Sequence, residues 1–189
     1  MKKILIFLVV LLAFFTTLRV LPAEEPEVDD WYKTQMGTGF GNCGPASAAM
    51  AIYWSTGIDL TVQTVRNYIG NPYEDGATAY YHLMAALKYW GAIAYYKEFS
   101  GLDEIKDYLD KNMIILFCYE TARVEISDGS KYGRTYSSNG GHYSIIYGHY
   151  RDWFVVNDPM WGGKDRLYPI DNILDAIVKV IVIEKVYTK

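Results

Sequence analysis

Apolar residues recur at helical spacing through the first part of the chain. From residue 43 onward they fall three and four positions apart, and glycines and polar residues interrupt the pattern several times before residue 112. The pattern predicts four helices, over 43–56, 61–69, 77–90 and 102–111. Ser100, followed three residues later by Asp103, predicts a capping box at the start of the fourth helix.

The pattern changes after residue 112, where apolar residues form short continuous runs of strand length. A run such as "MIILFCYE", residues 113–120, is typical of a central strand that is buried on both faces. Four strands and one further short helix are predicted in this half, the strands over 113–120, 142–150, 152–159 and 178–186 and the helix over 167–177. A helical first half followed by a sheet-forming second half indicates an α+β fold.

The N-terminus has the pattern of an export signal. Lys2 and Lys3 precede an unbroken apolar run over 4–15, and small residues up to Ala23 close the segment. We therefore expect residues 1–23 to be removed as a signal peptide and the protein to be secreted or extracytoplasmic. An uncleaved N-terminal anchor is the alternative, and it would be the protein's one route to a membrane.

The rest of the chain reads as one domain. Residues 24–30, "EEPEVDD", predict a short solvated leader, and residues 31–189 contain no internal repeat, low-complexity tract or Pro-rich linker. We expect a single domain over 31–189 and a monomer.

Charge excludes some partners. The full chain carries a formal charge of −4, and loss of Lys2, Lys3 and Arg19 with the signal peptide brings the net charge to about −7. An acidic surface without a cluster of Lys or Arg repels phosphate backbones, so nucleic acid is not an expected partner. No Cys/His spacing typical of zinc sites is present, and we expect neither a metal nor another cofactor.

The strongest chemical signal is a cysteine at the start of the first predicted helix, within "GNCGPASAAM". The N–H groups of a first helical turn and the helix dipole favour a thiolate, so Cys43 is a candidate nucleophile. Gly41 and Gly44 would let a substrate approach the sulfur, and the Cys43 N–H could donate to an oxyanion.

A nucleophilic cysteine needs a base, and the chain has three histidines. His82 lies within a predicted helix and His149 near a turn, and both are interpreted as structural or surface residues. His142 begins a predicted strand directly after Gly141, which leaves room for a reactant beside the ring. His142 is therefore the candidate base, and Gly141 a candidate substrate-binding residue.

The next predicted strand ends in "VNDP" and offers two groups that could orient the imidazole. Pairing with an even sum of residue numbers would place Asp158 on the face of His142, and an odd sum would place Asn157 there. A two-residue loop gives the odd sum and a three-residue loop the even one. The residues alone therefore leave both alternatives open.

Cys118, the second cysteine, lies in the apolar central strand and is predicted to be a buried, inert thiol. In an exported protein a Cys43–Cys118 disulfide is the structural alternative, and it would block the nucleophile.

Two segments together resemble a known family: "CGPAS" at 43–47 and "GHYSIIYGHYRDWFVVNDP" at 141–159. They resemble bacterial cysteine peptidases related to the bacteriocin-leader-processing (double-glycine) family, a branch of the papain-like superfamily. The resemblance implies a papain-like fold, with the helical half packed on an antiparallel sheet, and hydrolysis of a peptide or amide bond. It also implies a triad of Cys43, His142 and Asp158, and thereby favours Asp158 over Asn157.

The family places a glutamine before the cysteine as an oxyanion donor, and Gln35, eight residues upstream, is the candidate. Trp161, in "MWGGKD", could line the substrate cleft or belong to a plain turn. The chain shows no transporter or nucleotide-binding segment, so the resemblance does not extend to leader removal during export.

Other readings use the same residues. A catalytically inactive secreted binding module could keep this fold, and an acyltransferase could use the same triad. Asp128-Gly129, between "RVEIS" and "SKYGRTY", predicts a hairpin that could cover the site as a lid. The 18 Tyr and 5 Trp residues could include a glycan site, although most are expected to pack in the core or on the sheet.

Overall fold

The computed structural model describes residues 30–39, 41–73 and 76–186. All of these except Asp30 belong to one structural unit, Trp31–Lys189. The predicted signal peptide, 1–23, and all of the predicted leader except Asp30 lie outside the described residues. No helix within the described ranges has the length and hydropathy needed to cross a membrane.

The helices follow the predicted pattern closely. Gly57, in the left-handed region at φ 75°, ends the first helix, and the Thr61 hydroxyl caps the second by accepting the Thr64 N–H. The capping box at the fourth helix is wrong, because Gly101 is the N-cap and the Ser100 hydroxyl donates to the Glu104 carboxylate instead. The described ranges contain five α-helices: α1 Cys43–Thr56, α2 Val62–Ile69, α3 Tyr80–Tyr89, α4 Leu102–Asp110 and α5 Ile170–Ala176.

One six-stranded sheet contains every strand of the described part of the chain, and all neighbouring strands are antiparallel. In spatial order the strands are β1-β6-β2-β3-β4-β5. Four match the predicted strands, whereas the two strands at the edges were not predicted. The strands are β1 Ile93–Lys97, β2 Ile114–Glu120, β3 Gly141–Tyr150, β4 Trp153–Asn157, β5 Arg166–Pro169 and β6 Ile177–Glu184. Because β1 lies in the first half of the chain, the division into a helical half and a sheet half holds for all elements except β1 and α5.

Helix α1 is buried around most of its circumference. Every residue from Gly44 to Ile52 is buried, and the small residues among them allow close packing. The first hydrophobic cluster joins α1 to α2, α3 and one face of the sheet, and the second joins α4 and α5 to the other face. The residue that begins α1 is therefore carried by the most deeply packed helix of the fold.

The segment between β2 and β3 is not the predicted hairpin. A short 3₁₀ turn, Thr121–Arg123, is followed by a loop whose only strand-like contacts are isolated bridges. Buried Arg134 holds this loop together, since its guanidinium donates to the carbonyls of Val124, Tyr136 and Ser138. Asp128 does form a turn, with its carboxylate accepting the N–H two residues later at 3.1 Å.

Candidate active site

Cys43 is the first residue of α1 and is half-buried. Its N-cap, Asn42, makes no side-chain capping bond. The His142 imidazole and the backbone N–H groups of Tyr143 and Gly44 act on the Cys43 thiol and lower its pKa. The start of the helix and the start of β3 therefore meet at one thiol.

His142 is fixed by a carboxylate on its other side. His142 Nε2 lies 2.9 Å from Asp158 Oδ1, and the two residues are 6% and 1% exposed. Since Nε2 faces Asp158, Nδ1 is the ring nitrogen left to face the Cys43 sulfur. The structure thus brings together Cys43, His142 and Asp158 in a connected row.

Charges along this row support one another. Burial by itself would raise the pKa of the Cys43 thiol, but the hydrogen bond and charge of His142 and the two backbone N–H groups outweigh it, so the pKa is lowered. Burial opposes the imidazolium, yet Asp158 and the Cys43 thiolate together raise the pKa of His142 to about 10. Burial also disfavours the Asp158 carboxylate, whereas His142 and hydrogen bonds hold its pKa at about 2. The arrangement favours a thiolate–imidazolium pair.

The register between β3 and β4 explains why Asp158, and not Asn157, faces His142. A two-residue turn pairs Tyr150 with Trp153, which is the odd sum, but the pairing of Ile145 with Asn157 has an even sum. A β-bulge at Tyr147 accounts for the change. A two-residue loop alone predicts an odd sum along the whole strand and a three-residue loop an even one, so neither describes a register that changes within β3.

Extending the even register places Ser144 opposite Asp158, so His142 reaches Asp158 from the diagonal position on the same face. The Asn157 side chain instead accepts the Asp165 N–H at 3.0 Å.

Three tyrosines, which we call the tyrosine cluster, surround the far side of the Asp158 carboxylate. Tyr168, Tyr119 and Tyr136 donate to Oδ2 at 2.6, 2.8 and 3.3 Å, while Oδ1 accepts the Met160 N–H at 2.9 Å as well as His142. The three come from β5, from β2 and from the loop before β3. Sequence analysis missed them, because nothing in a tyrosine-rich chain distinguishes these hydroxyls from the others.

Arg66 is a second residue that sequence analysis missed. Its guanidinium is buried on α2 and donates to Asn42 Oδ1 at 2.6 Å and to the Gly41 and Gly76 carbonyls at 2.7 and 2.9 Å. The guanidinium also donates a fourth hydrogen bond, to the Gly70 carbonyl at 3.0 Å. Arg66 thus ties the two residues that lead into Cys43 to the loop between α2 and α3.

Gln35 lies beside the turn that follows Asp158. Its backbone N–H donates to the Pro159 carbonyl at 2.7 Å, and the Thr34 hydroxyl donates to the same carbonyl at 3.0 Å. Gln35 Oε1 is buried and has no hydrogen-bond partner among the described residues. No hydrogen bond from a described residue therefore fixes the side-chain oxygen of the predicted oxyanion donor.

Two glycines near Cys43, Gly41 and Gly44, pack closely against other residues of the chain. Gly41 has φ 74°, and a Cβ there would lie 2.5 Å from the Gly76 carbonyl oxygen. A Cβ on buried Gly44 would lie 3.2 Å from both Leu83 Cδ2 and Thr78 Cβ. Close packing within the fold is therefore enough to require glycine at 41 and to favour it at 44.

Gly141 and Trp161 have open surroundings. Gly141 is exposed, and nothing lies within 4 Å of the position of a Cβ. Trp161 is 77% exposed, and its carbonyl accepts the Thr135 hydroxyl at 2.7 Å. Both residues therefore lie at the surface of the protein.

The remaining cysteine and histidines have other surroundings. Both cysteines are free, so the structure does not contain the Cys43–Cys118 disulfide. Burial and the nearby Cys43 raise the pKa of Cys118 to about 11. His149 pairs with Asp110 at 3.1 Å, and the His82 ring lies 4.3 Å from the Tyr81 ring at an interplanar angle of 55°. Within the described ranges, no three His, Cys, Asp or Glu side chains are grouped so that they could hold a metal ion.

A cysteine at the start of a buried helix, facing a histidine and an aspartate on an antiparallel sheet, defines the papain-like class of α+β folds. Residues 29–179 match the model of the Peptidase_C39 like family, and the chain belongs to that family. The predicted fold class and the predicted relationship to double-glycine peptidases are thereby confirmed. No curated protein matches the chain.

Solved structures agree with this family assignment. One is described as a C39-like peptidase from Bacillus anthracis, with a TM-score of 0.61, 16% identity, and coverage of 83% of this chain and 95% of that one. Another is the peptidase domain of Streptococcus ComA, described as a bifunctional ABC transporter involved in quorum sensing, with a TM-score of 0.58, 16% identity and coverage of 82% and 98%. At this identity the likeness concerns the fold.

Proposed function

We propose that the protein is a secreted cysteine peptidase that hydrolyses a peptide or amide bond through Cys43, His142 and Asp158. The observation that carries the proposal is the 2.9 Å bond between His142 Nε2 and Asp158 Oδ1, which leaves the other ring nitrogen for the Cys43 sulfur. Membership of the C39-like family supports it. A structural cysteine would need neither a lowered pKa nor an oriented imidazole.

The chemistry follows from the positions of these groups. The Cys43 thiolate attacks the scissile carbonyl, and the new C–S bond forms. The oxyanion accepts hydrogen bonds from the backbone N–H of Cys43 and from the side-chain amide of Gln35. The His142 imidazolium then gives its Nδ1 proton to the leaving amine as the C–N bond breaks, which leaves a thioester. Water, deprotonated by His142, attacks the thioester, and the thiolate and the carboxylic acid product are released.

Asp158 keeps its charge through the cycle and orients the imidazole, and no metal or cofactor takes part. The open surface at Gly141 and Trp161 gives an extended peptide room to lie beside Cys43. The substrate is a peptide or protein met outside the cytoplasm, in keeping with the sequence signal at 1–23. The protein acts as a monomer.

Limited alkylation tests the proposal without a known substrate. The purified protein is treated with limiting iodoacetamide at mildly acidic pH, where ordinary thiols react slowly, and the labelled peptides are mapped by mass spectrometry. We expect fast labelling at Cys43 that is lost in His142→Ala and retained in the matched variant Cys118→Ser. Equally slow labelling of wild type and His142→Ala would overturn the triad and leave a binding module.

A peptide-library digest then separates hydrolysis from transfer. Cleavage by wild type, absent in Cys43→Ala, is expected to yield free carboxylic acids even when a primary amine is added. Amide products formed in preference to acids would assign the site to acyl transfer instead.

A further inference from the structure

The Asp158 carboxylate has two oxygens with different tasks. Oδ1 accepts from His142 Nε2 and from the Met160 N–H, both at 2.9 Å. Among the residues that the structure describes, Oδ2 accepts only from the tyrosine cluster, at 2.6, 2.8 and 3.3 Å from Tyr168, Tyr119 and Tyr136. Five donors fill the acceptor sites of one carboxylate, so the group needs no water for its hydration.

We propose that the hydroxyls of the tyrosine cluster position the Asp158 carboxylate beside His142 and keep it ionised in acid. This role rests on the proposed function, and the three tyrosines act through Asp158 rather than on substrate. Rotation of the carboxylate away from His142 would break the bonds to Oδ2, so the hydroxyls fix its plane. Each bond also favours the charged form of the carboxyl, because a hydroxyl donates more strongly to an anion.

The surroundings of Asp158 show why neutral donors are required. Asp158 is 1% exposed, and an isolated carboxylate at such a site would take up a proton. The cations near it are His142, which is paired on the other side with Cys43, and Arg134, whose guanidinium lies 5.4 Å from the Tyr136 ring. A third cation in contact with Oδ2 would compete with His142 for the carboxylate, whereas a hydroxyl stabilises the charge without adding one.

The hydroxyls remain donors at any working pH. Burial, followed by the charge of Asp158, raises the pKa of each of the three tyrosines well above its usual value. Tyr119 also contacts Tyr136 at 3.0 Å and Ser144 at 3.4 Å, so the cluster is internally connected. These contacts come from β2, β3, β5 and the loop before β3.

Packing is the competing explanation, because Tyr119 stacks on Phe117 at 4.7 Å and lies edge-on to His142 at 5.7 Å. A Tyr→Phe substitution separates the two, since it keeps the ring and removes only the hydroxyl. Tyr147→Phe is the matched control. Its hydroxyl donates to a different carboxylate, Asp165 Oδ1, at 2.5 Å, and its ring packs against Trp31.

The experiment measures the pKa of the Asp158 carboxyl by NMR titration of its carboxyl carbon in wild type, Tyr168→Phe, Tyr119→Phe and Tyr147→Phe, with circular dichroism as a check on folding. This pKa is about 2 in wild type and should rise by about one unit in each of the two cluster variants, because one donor to the ionised carboxylate is lost. The Tyr147→Phe titration should coincide with that of wild type. If a variant in a strand does not fold, Tyr136→Phe replaces it, because Tyr136 lies in a loop. Its longer bond to Asp158 should then give a smaller upward shift of the measured pKa.

The outcomes separate this inference from the proposed function. An unchanged pKa of Asp158 in the folded cluster variants, with wild-type labelling of Cys43 still dependent on His142, would overturn the role of the tyrosines and leave the triad standing. Slow labelling of wild type at every acidic pH would overturn the triad itself, and with it the role of the cluster.

Discussion

Asn157 and Asp158 are adjacent in sequence, yet their side chains have separate partners: Asp158 accepts from His142 Nε2, and Asn157 accepts from the Asp165 N–H. The division follows from the bulge in β3, which determines which of the two shares a face with His142. It assigns a chemical task to one residue and a structural task to the other, and substitutions can separate them.

Asp158→Asn should move the alkaline limb of peptide cleavage to lower pH. The amide cannot balance the imidazolium charge, and loss of an opposite charge at this distance lowers a pKa by about one to three units, so His142 should lose its proton well below the wild-type value of about 10. Asn157→Ala should lose about 1–2 kcal/mol of unfolding free energy and keep the wild-type cleavage profile, because only a buried hydrogen bond is removed. Cleavage profiles and urea denaturation measure the two effects, and a larger shift of the alkaline limb in Asn157→Ala would contradict the register.

Gly41→Ala should destabilise the protein by about 2–3 kcal/mol. A side chain at φ 74° is strained, and its Cβ would meet the Gly76 carbonyl oxygen at 2.5 Å. Gly141→Ala is the matched control, since nothing lies within 4 Å of its Cβ position, and its cost should stay within about 0.5 kcal/mol. Urea unfolding compares them, and equal costs would mean that the Gly41 contact does not constrain the loop before Cys43.

Arg66→Met should cost about 3 kcal/mol or more of unfolding free energy. Methionine fills similar volume but leaves the carbonyls of Gly41, Gly70 and Gly76 without this donor. Arg123→Met, on an exposed arginine, serves as control and should change stability by about 0.5 kcal/mol or less.

The Arg66 variant should also label more slowly at Cys43, because the residues before the helix lose their anchor. Thermal unfolding and alkylation are measured on the same samples. A stable Arg66→Met protein with normal labelling would show that the loop is held by other contacts.

Peptide cleavage should depend on pH through two groups with opposite signs. As pH falls through the lowered pKa of Cys43, the thiolate gains a proton and both cleavage and alkylation decline. As pH rises through the pKa of His142, about 10, the imidazolium loses the proton that the leaving amine needs, so cleavage declines while alkylation of the thiolate continues. Parallel profiles of kcat/KM and of alkylation test this, and a joint decline on the alkaline side would contradict it.

Much of the fold could be predicted from periodicity, but the edges of the sheet could not. The long apolar runs of β2 and β6 identify central strands, whereas β1 alternates exposed and half-buried residues and β5 has only four residues. Cys43 and His142 could be identified because a nucleophile and a base have recognisable settings in sequence, whereas the choice of Asp158 over Asn157 came from the family resemblance alone.

The supporting residues have no such settings. Arg66 and the tyrosine cluster depend on contacts between segments far apart in the chain, such as Tyr119 with Asp158. The predicted hairpin after β2 failed for a related reason, because Arg134 binds the loop's own carbonyls and replaces a strand ladder. The roles of Gln35 and Trp161 in catalysis and binding stay predictions.

The bulge at Tyr147 is a position in this hairpin at which the chain can change length without changing its pairing. Deleting Tyr147 would leave Ile146 opposite Val156 and Gly148 opposite Val155, so Asp158 would stay on the face of His142. Deleting one residue between His142 and Ile146 would instead turn His142 to the opposite face of the sheet. We therefore expect viable variants of β3 to change length at the bulge and to keep the spacing from His142 to Ile146.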